Sequence, residues 1–269
     1  MERALSLRPR YASGGGSLAV RATLAVETES RRGRRPSAGA SPVRPTLQLL
    51  SCFELAFDDE IVVLPPSVQR LVAFLTIRDR PMQRAYVAGT LWPETSEQRA
   101  AANLRSALWR LNQLSIRVVE STGANIRLAP AVRVDVRERT EEAQRLLASV
   151  EPDFDNLGEV GFHDDLLPDW YDDWLVIARE RFHQLRLRTL EFVCERLAAR
   201  GEFARALDAG LTAVAGEPLR ESAHRALVKV HLAEGNPAEA VRQFELYRQL
   251  LRDQLGLTPS MRIVELLHA

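Results

Sequence analysis

EQRAAANLRSALWRLNQL, residues 97–114, is the stretch from which the rest of the chain is read. Ala100, Leu104, Ala107, Leu108, Leu111 and Leu114 recur three or four residues apart, the spacing of one apolar helix face. Arg99, Asn103, Ser106, Arg110 and Gln113 recur at the same spacing on another side. That second row holds two guanidinium groups, two carboxamides and a hydroxyl, and no acid. Such groups bond to phosphates and base edges, so the pattern predicts a helix over 97–114 that docks through leucines and offers a DNA-reading face. The same pattern also describes an ordinary amphipathic helix with a solvated polar side, and the neighbouring segments decide between the two.

Upstream, LQLLSCFEL (47–55) and EIVVL (60–64) predict two strands, ended by Pro65-Pro66. A helix is expected at 68–78, capped by Ser67, and a second at about 83–91, stopping before Pro93. Thr95 and Gln98 have capping-box spacing at the start of the third. After Leu114 the period changes to alternation. IRVVE (116–120), the turn STGAN (121–125), IRLAP and VRVDV predict a β-hairpin or small sheet. Sheet, three helices and hairpin in that order is the layout of a winged helix-turn-helix. Its third helix enters the major groove and its hairpin touches the adjacent backbone. Asn125 and Arg127 are then the candidate wing contacts; plain turn chemistry would also account for both.

Downstream the chain reads as all-helical, with helices near 138–149, 170–199, 202–215, 219–234, 237–254 and 260–267. The run Arg200-Gly201-Glu202-Phe203-Ala204-Arg205-Ala206-Leu207 aligns with Glu234-Gly235-Asn236-Pro237-Ala238-Glu239-Ala240-Val241 at the ~34-residue period of tetratricopeptide repeats. The expected organisation is a disordered basic tail at 1–45, an α+β winged helix-turn-helix at 46–137, and an all-α tetratricopeptide-like domain at 138–269.

Formal net charge is zero, so any field that attracts DNA must be local. The first 45 residues carry nine Arg and three acids, while 151–173 carry nine acids and no Lys or Arg. Cys52 and Cys194 both sit in apolar patterns and are expected to be buried free thiols, as in a cytoplasmic protein. No membrane span is expected, because no apolar run is long enough. Five His and two Cys are scattered, with no nucleophile elbow, metal-ligand spacing or GxxxxGK[ST] loop. Neither enzyme activity, a cofactor nor a metal is expected.

GTLWPETSEQRAAANLRSALWRLNQL resembles the LWP…A..NLR.ALYRLR stretch of bacterial activators of the antibiotic regulatory protein (SARP-like) class. LPDWYDDWLVIARERFHQL and PLRESAHRALVKVHLAEGNPAEAVRQFELYRQLLRDQLGLTPS resemble the bacterial transcriptional activator domain that follows it in that family. The resemblance covers about residues 47–267. It implies a winged helix like that of response regulators fused to a tetratricopeptide-like domain. It further implies binding to repeated promoter sites in double-stranded DNA, as a homodimer or in tandem, and recruitment of RNA polymerase. On the family pattern, Asn103, Arg105, Ser106, Trp109 and Arg110 fall on the recognition helix, and Arg84 opens the second helix. Where the family carries a basic pair, this chain has Asn112-Gln113, which removes phosphate-binding charge. The alternative function is therefore a protein-interaction module whose winged helix has lost DNA affinity.

Overall fold

A computed structural model describes residues 44–58, 60–149, 152 and 162–268, all within one compact unit. Apart from Arg44 and Pro45, the tail expected at 1–45 lies outside the described residues, as does 153–161 of the acidic stretch.

The first strand, β1 (Thr46–Gln48), sits inside a four-stranded sheet. It pairs antiparallel with β2 (Glu54–Phe57), Leu47 opposite Leu55, and β2 pairs with the edge strand β3 (Glu60–Ile61). The continuous strand expected at 47–55 is cut at its middle for a local reason. The amides of Leu49 and Leu50 donate to the Asp135 carboxylate at 2.9 Å, and Ser51 turns the chain at φ 66°. Cys52 lies in that turn and is exposed, against the expectation that it is buried. Burial raises the pKa of Asp135, and the backbone donors Leu50, Leu49 and Val136 offset this only in part.

Pro65 extends the backbone and Pro66, which has no N–H to leave unsatisfied, opens α1 (Pro66–Arg78). No side chain caps it, so Ser67 does not play the expected role. Its buried face runs from Val68 through Leu71 and Phe74 to Leu75, and Asp79 ends it in the left-handed region at φ 46°. A short strand, β4 (Met82–Gln83), precedes α2 (Arg84–Leu91) and α3 (Glu97–Asn112). The strands β5 (Val119–Thr122) and β6 (Asn125–Leu128) then form an antiparallel hairpin, and β6 pairs with β4. The last strand, β7 (Arg133–Val134), leaves the hairpin and lies parallel to β1 in the first sheet. Its VRVDV run therefore closes the N-terminal core instead of extending the hairpin.

Six helical elements follow: α4 (Asp135–Ala148), α5 (Asp173–Ala199), α6 (Phe203–Gly216), α7 (Glu221–Ala233), α8 (Pro237–Leu255) and α9 (Met261–Val264), with a 3-10 turn at Glu265–Leu267. The arrangement is an α+β region with small sheets, then an all-α region. Gly201 and Gly235, paired by the sequence alignment, stand at φ 77° and 84° just after α5 and α7. A side chain is strained there, whereas glycine lets each helix stop and the next fold back. At the α6–α7 crossing, a Cβ on Gly210 would come within 2.5 Å of buried Leu227, so glycine sets the closeness of the two helices.

The 27-residue α5 joins the two regions. Leu175 and Phe182 belong to the N-terminal core, while Leu187, Leu190, Cys194 and Leu197 belong to the helical one. Trp174 meets fully buried Phe74 of α1 edge-on at 5.2 Å, and Arg70 of α1 pairs with Asp172 at 2.5 Å. Arg179 donates to the carbonyls of Leu166, Leu167 and Trp170. Buried Arg186 donates to those of Phe162 and His163 and pairs with Asp165 at 2.9 Å. These acids and carbonyls are thus taken up by structural guanidinium groups. Cys194 is buried, which pushes its thiol up to about 12 and leaves it inert as a nucleophile.

His224 ties α7 to α8. It is fully buried, its Nε2 donates to the Pro218 carbonyl at 2.9 Å, and its Nδ1 accepts from Gln243 at 2.8 Å. The ring stacks on Tyr247 with centroids 4.5 Å apart. Burial lowers its pKa, and the Pro218 contact offsets this only in part. The unfolded chain takes up this proton near pH ~6.5 and the folded chain only lower. The stabilisation is therefore complete above that pH and is lost as pH falls through the folded value, with a slope of at most about 1.4 kcal/mol per pH unit. His224→Gln is expected to flatten this dependence. Urea midpoints at about pH 7.5 and about pH 5.5 check it: the wild-type chain should lose more stability on acidification than the variant.

Candidate nucleic-acid interface

Ser96 caps α3, its hydroxyl accepting from the Arg99 amide at 3.4 Å. The cap expected at Thr95 is displaced by one residue, because the Thr95 hydroxyl donates to the Trp92 carbonyl at 3.1 Å. The helix ends at Asn112, and the Gln113 and Leu114 amides continue as a tighter turn onto the Arg110 and Leu111 carbonyls. Its buried residues are Ala100, Leu104, Ala107, Leu108 and Leu111, five of the six expected; Leu114 is partly buried.

Those five residues fix which way the other side points. At about 100° per residue they span an arc of about 100°, and the opposite pole falls on Ala102, with Gln113 and Trp109 within about 25° on either side. Gln98 and Ser106 lie about 35–45° from that pole. Arg105 stands about 65° to one side; Arg99 and Arg110 stand about 55–75° to the other. Asn103 is farther round, at about 95°, and is half-buried. The row Arg99, Asn103, Ser106, Arg110 and Gln113 thus runs from the pole round one flank, and the face is centred on half-buried Ala102 between Gln113 and Trp109, the latter 63% exposed.

Among the described residues some arginines pair with carboxylates and others do not, the latter including Arg181, Arg188, Arg252 and Arg262 of the helical region. Arg70, Arg127, Arg133, Arg137, Arg139, Arg186 and Arg220 are each paired with a carboxylate. Arg99, Arg105 and Arg110 are exposed and pair with none among the described residues. Arg117, between α3 and β5, is likewise exposed and unpaired among them, and sequence reasoning passed over it because it read 116–120 only as a strand of the hairpin. The Ser106 hydroxyl donates to the Ala102 carbonyl at 3.1 Å, so towards a ligand it is an acceptor.

The hairpin is fastened to β4 and to the start of α2. Gly123, at φ 59°, makes the turn between β5 and β6, and Asn125 pairs with Thr122 across it and with Gln83 of β4. Arg84 anchors the assembly: its amide donates to the Ala124 carbonyl at 2.9 Å and its guanidinium to the Ser121 hydroxyl at 3.2 Å. Arg84 is half-buried, its Nε has no partner among the described residues, and its place is structural as much as exposed. Asn125 and Arg127 are exposed, and Arg127 bonds to Glu120 across the hairpin at 2.7 and 3.0 Å. A surface pair of this kind is worth only about 0–1 kcal/mol, so a phosphate can displace the carboxylate.

Among the described residues no group of three His, Cys, Asp or Glu could hold a metal, and no helix is long and apolar enough to cross a membrane.

Residues 156–269 match the bacterial transcriptional activator domain, the part that the resemblance to SARP-like activators calls for, and that resemblance is borne out. The fold is similar to that of Mycobacterium tuberculosis EmbR, solved in complex with a low-affinity phosphopeptide, with a TM-score of 0.62 and 20% identity. The match covers 84% of this chain and 64% of the EmbR chain, so it spans less than two thirds of that chain's length. No curated protein matches the sequence.

Proposed function

We propose that the chain is a sequence-specific DNA-binding transcriptional activator. In this reading residues 46–137 form a winged helix-turn-helix, with α3 in the major groove and the β5–β6 hairpin on the flanking backbone. Residues 138–269 form a tetratricopeptide-like partner-binding domain, and the basic residues of 1–45 add sequence-independent attraction to phosphate. The observation that carries the reading is the state of α3: five buried apolar side chains on one side, and Arg99, Arg105 and Arg110 on the other, exposed and without a carboxylate partner among the described residues. Gln113, Ser106, Asn125 and Arg127 supply further polar contacts, and Arg84 holds the hairpin in place. The resemblance extends the proposal to a cytoplasmic protein that binds promoter repeats, as a homodimer or in tandem, and recruits RNA polymerase.

The test is selection of binding sites from a random duplex library, followed by footprinting of a selected duplex. Protection over one major-groove face with flanking minor-groove protection supports the reading; no enrichment over the input library overturns it. The second reading, a protein-interaction module with an impaired winged helix, is favoured by Asn112-Gln113 and by the Arg127–Glu120 pair, which both reduce free positive charge. It expects no enrichment.

A further inference from the structure

We infer that Trp109 is the base-reading side chain of α3 and that, with Ala102, it makes the protein prefer thymine at the positions beneath it, an inference that rests on the DNA-binding reading above. The argument is geometric. A helix seated in the major groove turns its buried stripe to its own protein, its two flanks to the phosphate walls and its pole to the base edges. The arginines of α3 stand on the flanks, Arg105 on one and Arg99 and Arg110 on the other. The pole carries half-buried Ala102 and exposed Trp109, seven residues and about 10 Å apart along the axis, with Gln113 beyond them at its C-terminal end and Gln98 to one side at the other. The strip that meets the groove floor is therefore apolar at its centre and cationic at its edges.

Nothing in the fold uses the Trp109 ring. It lies outside all three buried cores, makes no ring contact with another aromatic side chain and has no hydrogen bond among the described residues. The other exposed aromatic residue beside this helix, Tyr86, has both a ring neighbour, Phe74, and a cation, Arg80. In the major groove the one apolar group that a base offers is the thymine C5-methyl. An indole plate with a methyl group beside it fits that group, and the indole N–H can donate to thymine O4 or guanine N7 nearby. Guanidinium groups held out on the flanks favour phosphate over guanine, so the base preference falls to the pole.

The test takes duplexes selected by the wild-type chain and replaces each thymine in turn by deoxyuridine, which removes only the methyl group. At one or two positions the wild-type affinity should fall about fourfold, the factor that burial of one methyl group is worth. Trp109→Ala should lose that discrimination, binding the thymine and deoxyuridine duplexes equally, and Trp109→Phe should retain most of it. The ring is exposed, so all three proteins should give the same far-ultraviolet circular dichroism. If the chain selects sites but no thymine responds, or if Trp109→Ala keeps the same response, this inference fails and the DNA reading stands. If no site is selected, both fail. If Trp109→Ala binds and discriminates normally but no longer activates transcription, the indole faces a protein and the inference is overturned.

Discussion

Replacing Arg99, Arg105 and Arg110 together by alanine is expected to lower affinity for duplex DNA on the order of 100-fold at ~0.15 M salt. It should also reduce the slope of log K against log salt by about 2.7, since each phosphate contact contributes about 0.9. All three side chains are exposed and lack acidic partners among the described residues, so their removal opens no cavity and strands no buried charge. The thermal midpoint should therefore stay close to that of the wild-type chain, which separates a lost contact from a lost fold. Gln98→Ala, nearer the pole and uncharged, should leave the slope unchanged. A triple variant with the wild-type slope would place the duplex somewhere other than α3.

Phe74→Ala is expected to cost about 3–5 kcal/mol of stability, the range for truncating a fully buried aromatic ring. Phe74 has no exposed surface, lies edge-on to Trp174 of α5 and touches Tyr86 of α2. Its cavity would open where the α+β region and the helical region share one core. Since domains of this size have about 5–15 kcal/mol in total, the loss is a large share of what holds the chain folded. Chemical denaturation followed by tryptophan fluorescence measures it, with Trp174 as the adjacent reporter. A loss under ~1 kcal/mol would mean that the core closes over the gap, contrary to the packing described here.

These two expectations draw on parts of the molecule that were unequally legible from sequence. The buried stripe of α3 was legible, since leucines at helical spacing point one way whatever surrounds them. So were the helix ends at Gly201 and Gly235, where the left-handed backbone selects glycine. The α3 stripe also fixes the direction of the opposite pole, but the polar residues drew the reading elsewhere. Counting polar residues picked the Arg99–Gln113 row, because Ala102 and Trp109 give no polar signal. The deeply buried Ala100 and Ala107 rotate the true pole away from that row and leave Asn103 half-buried. Trp109 was named only through the family resemblance. Long-range partnerships were illegible for a simpler reason: nothing local marks them. The parallel pairing of β7 with β1, the grip of Asp135 on Leu49 and Leu50, and the Arg70–Asp172 pair join residues far apart in sequence. The run 47–55 looked like one strand because its apolar content continues past the point where Asp135 captures its amides. For the same reason Cys52 looked buried. The double membership of α5 in two cores was likewise hidden, since one continuous apolar pattern serves both.

The central claim, that α3 and its free arginines meet a duplex, is tested most directly by the salt dependence of DNA binding by the unmodified chain. Binding should be tight at about 50 mM salt and weaken linearly in log K against log salt, with a slope of several units. No binding at about 50 mM, or binding indifferent to salt, would contradict it.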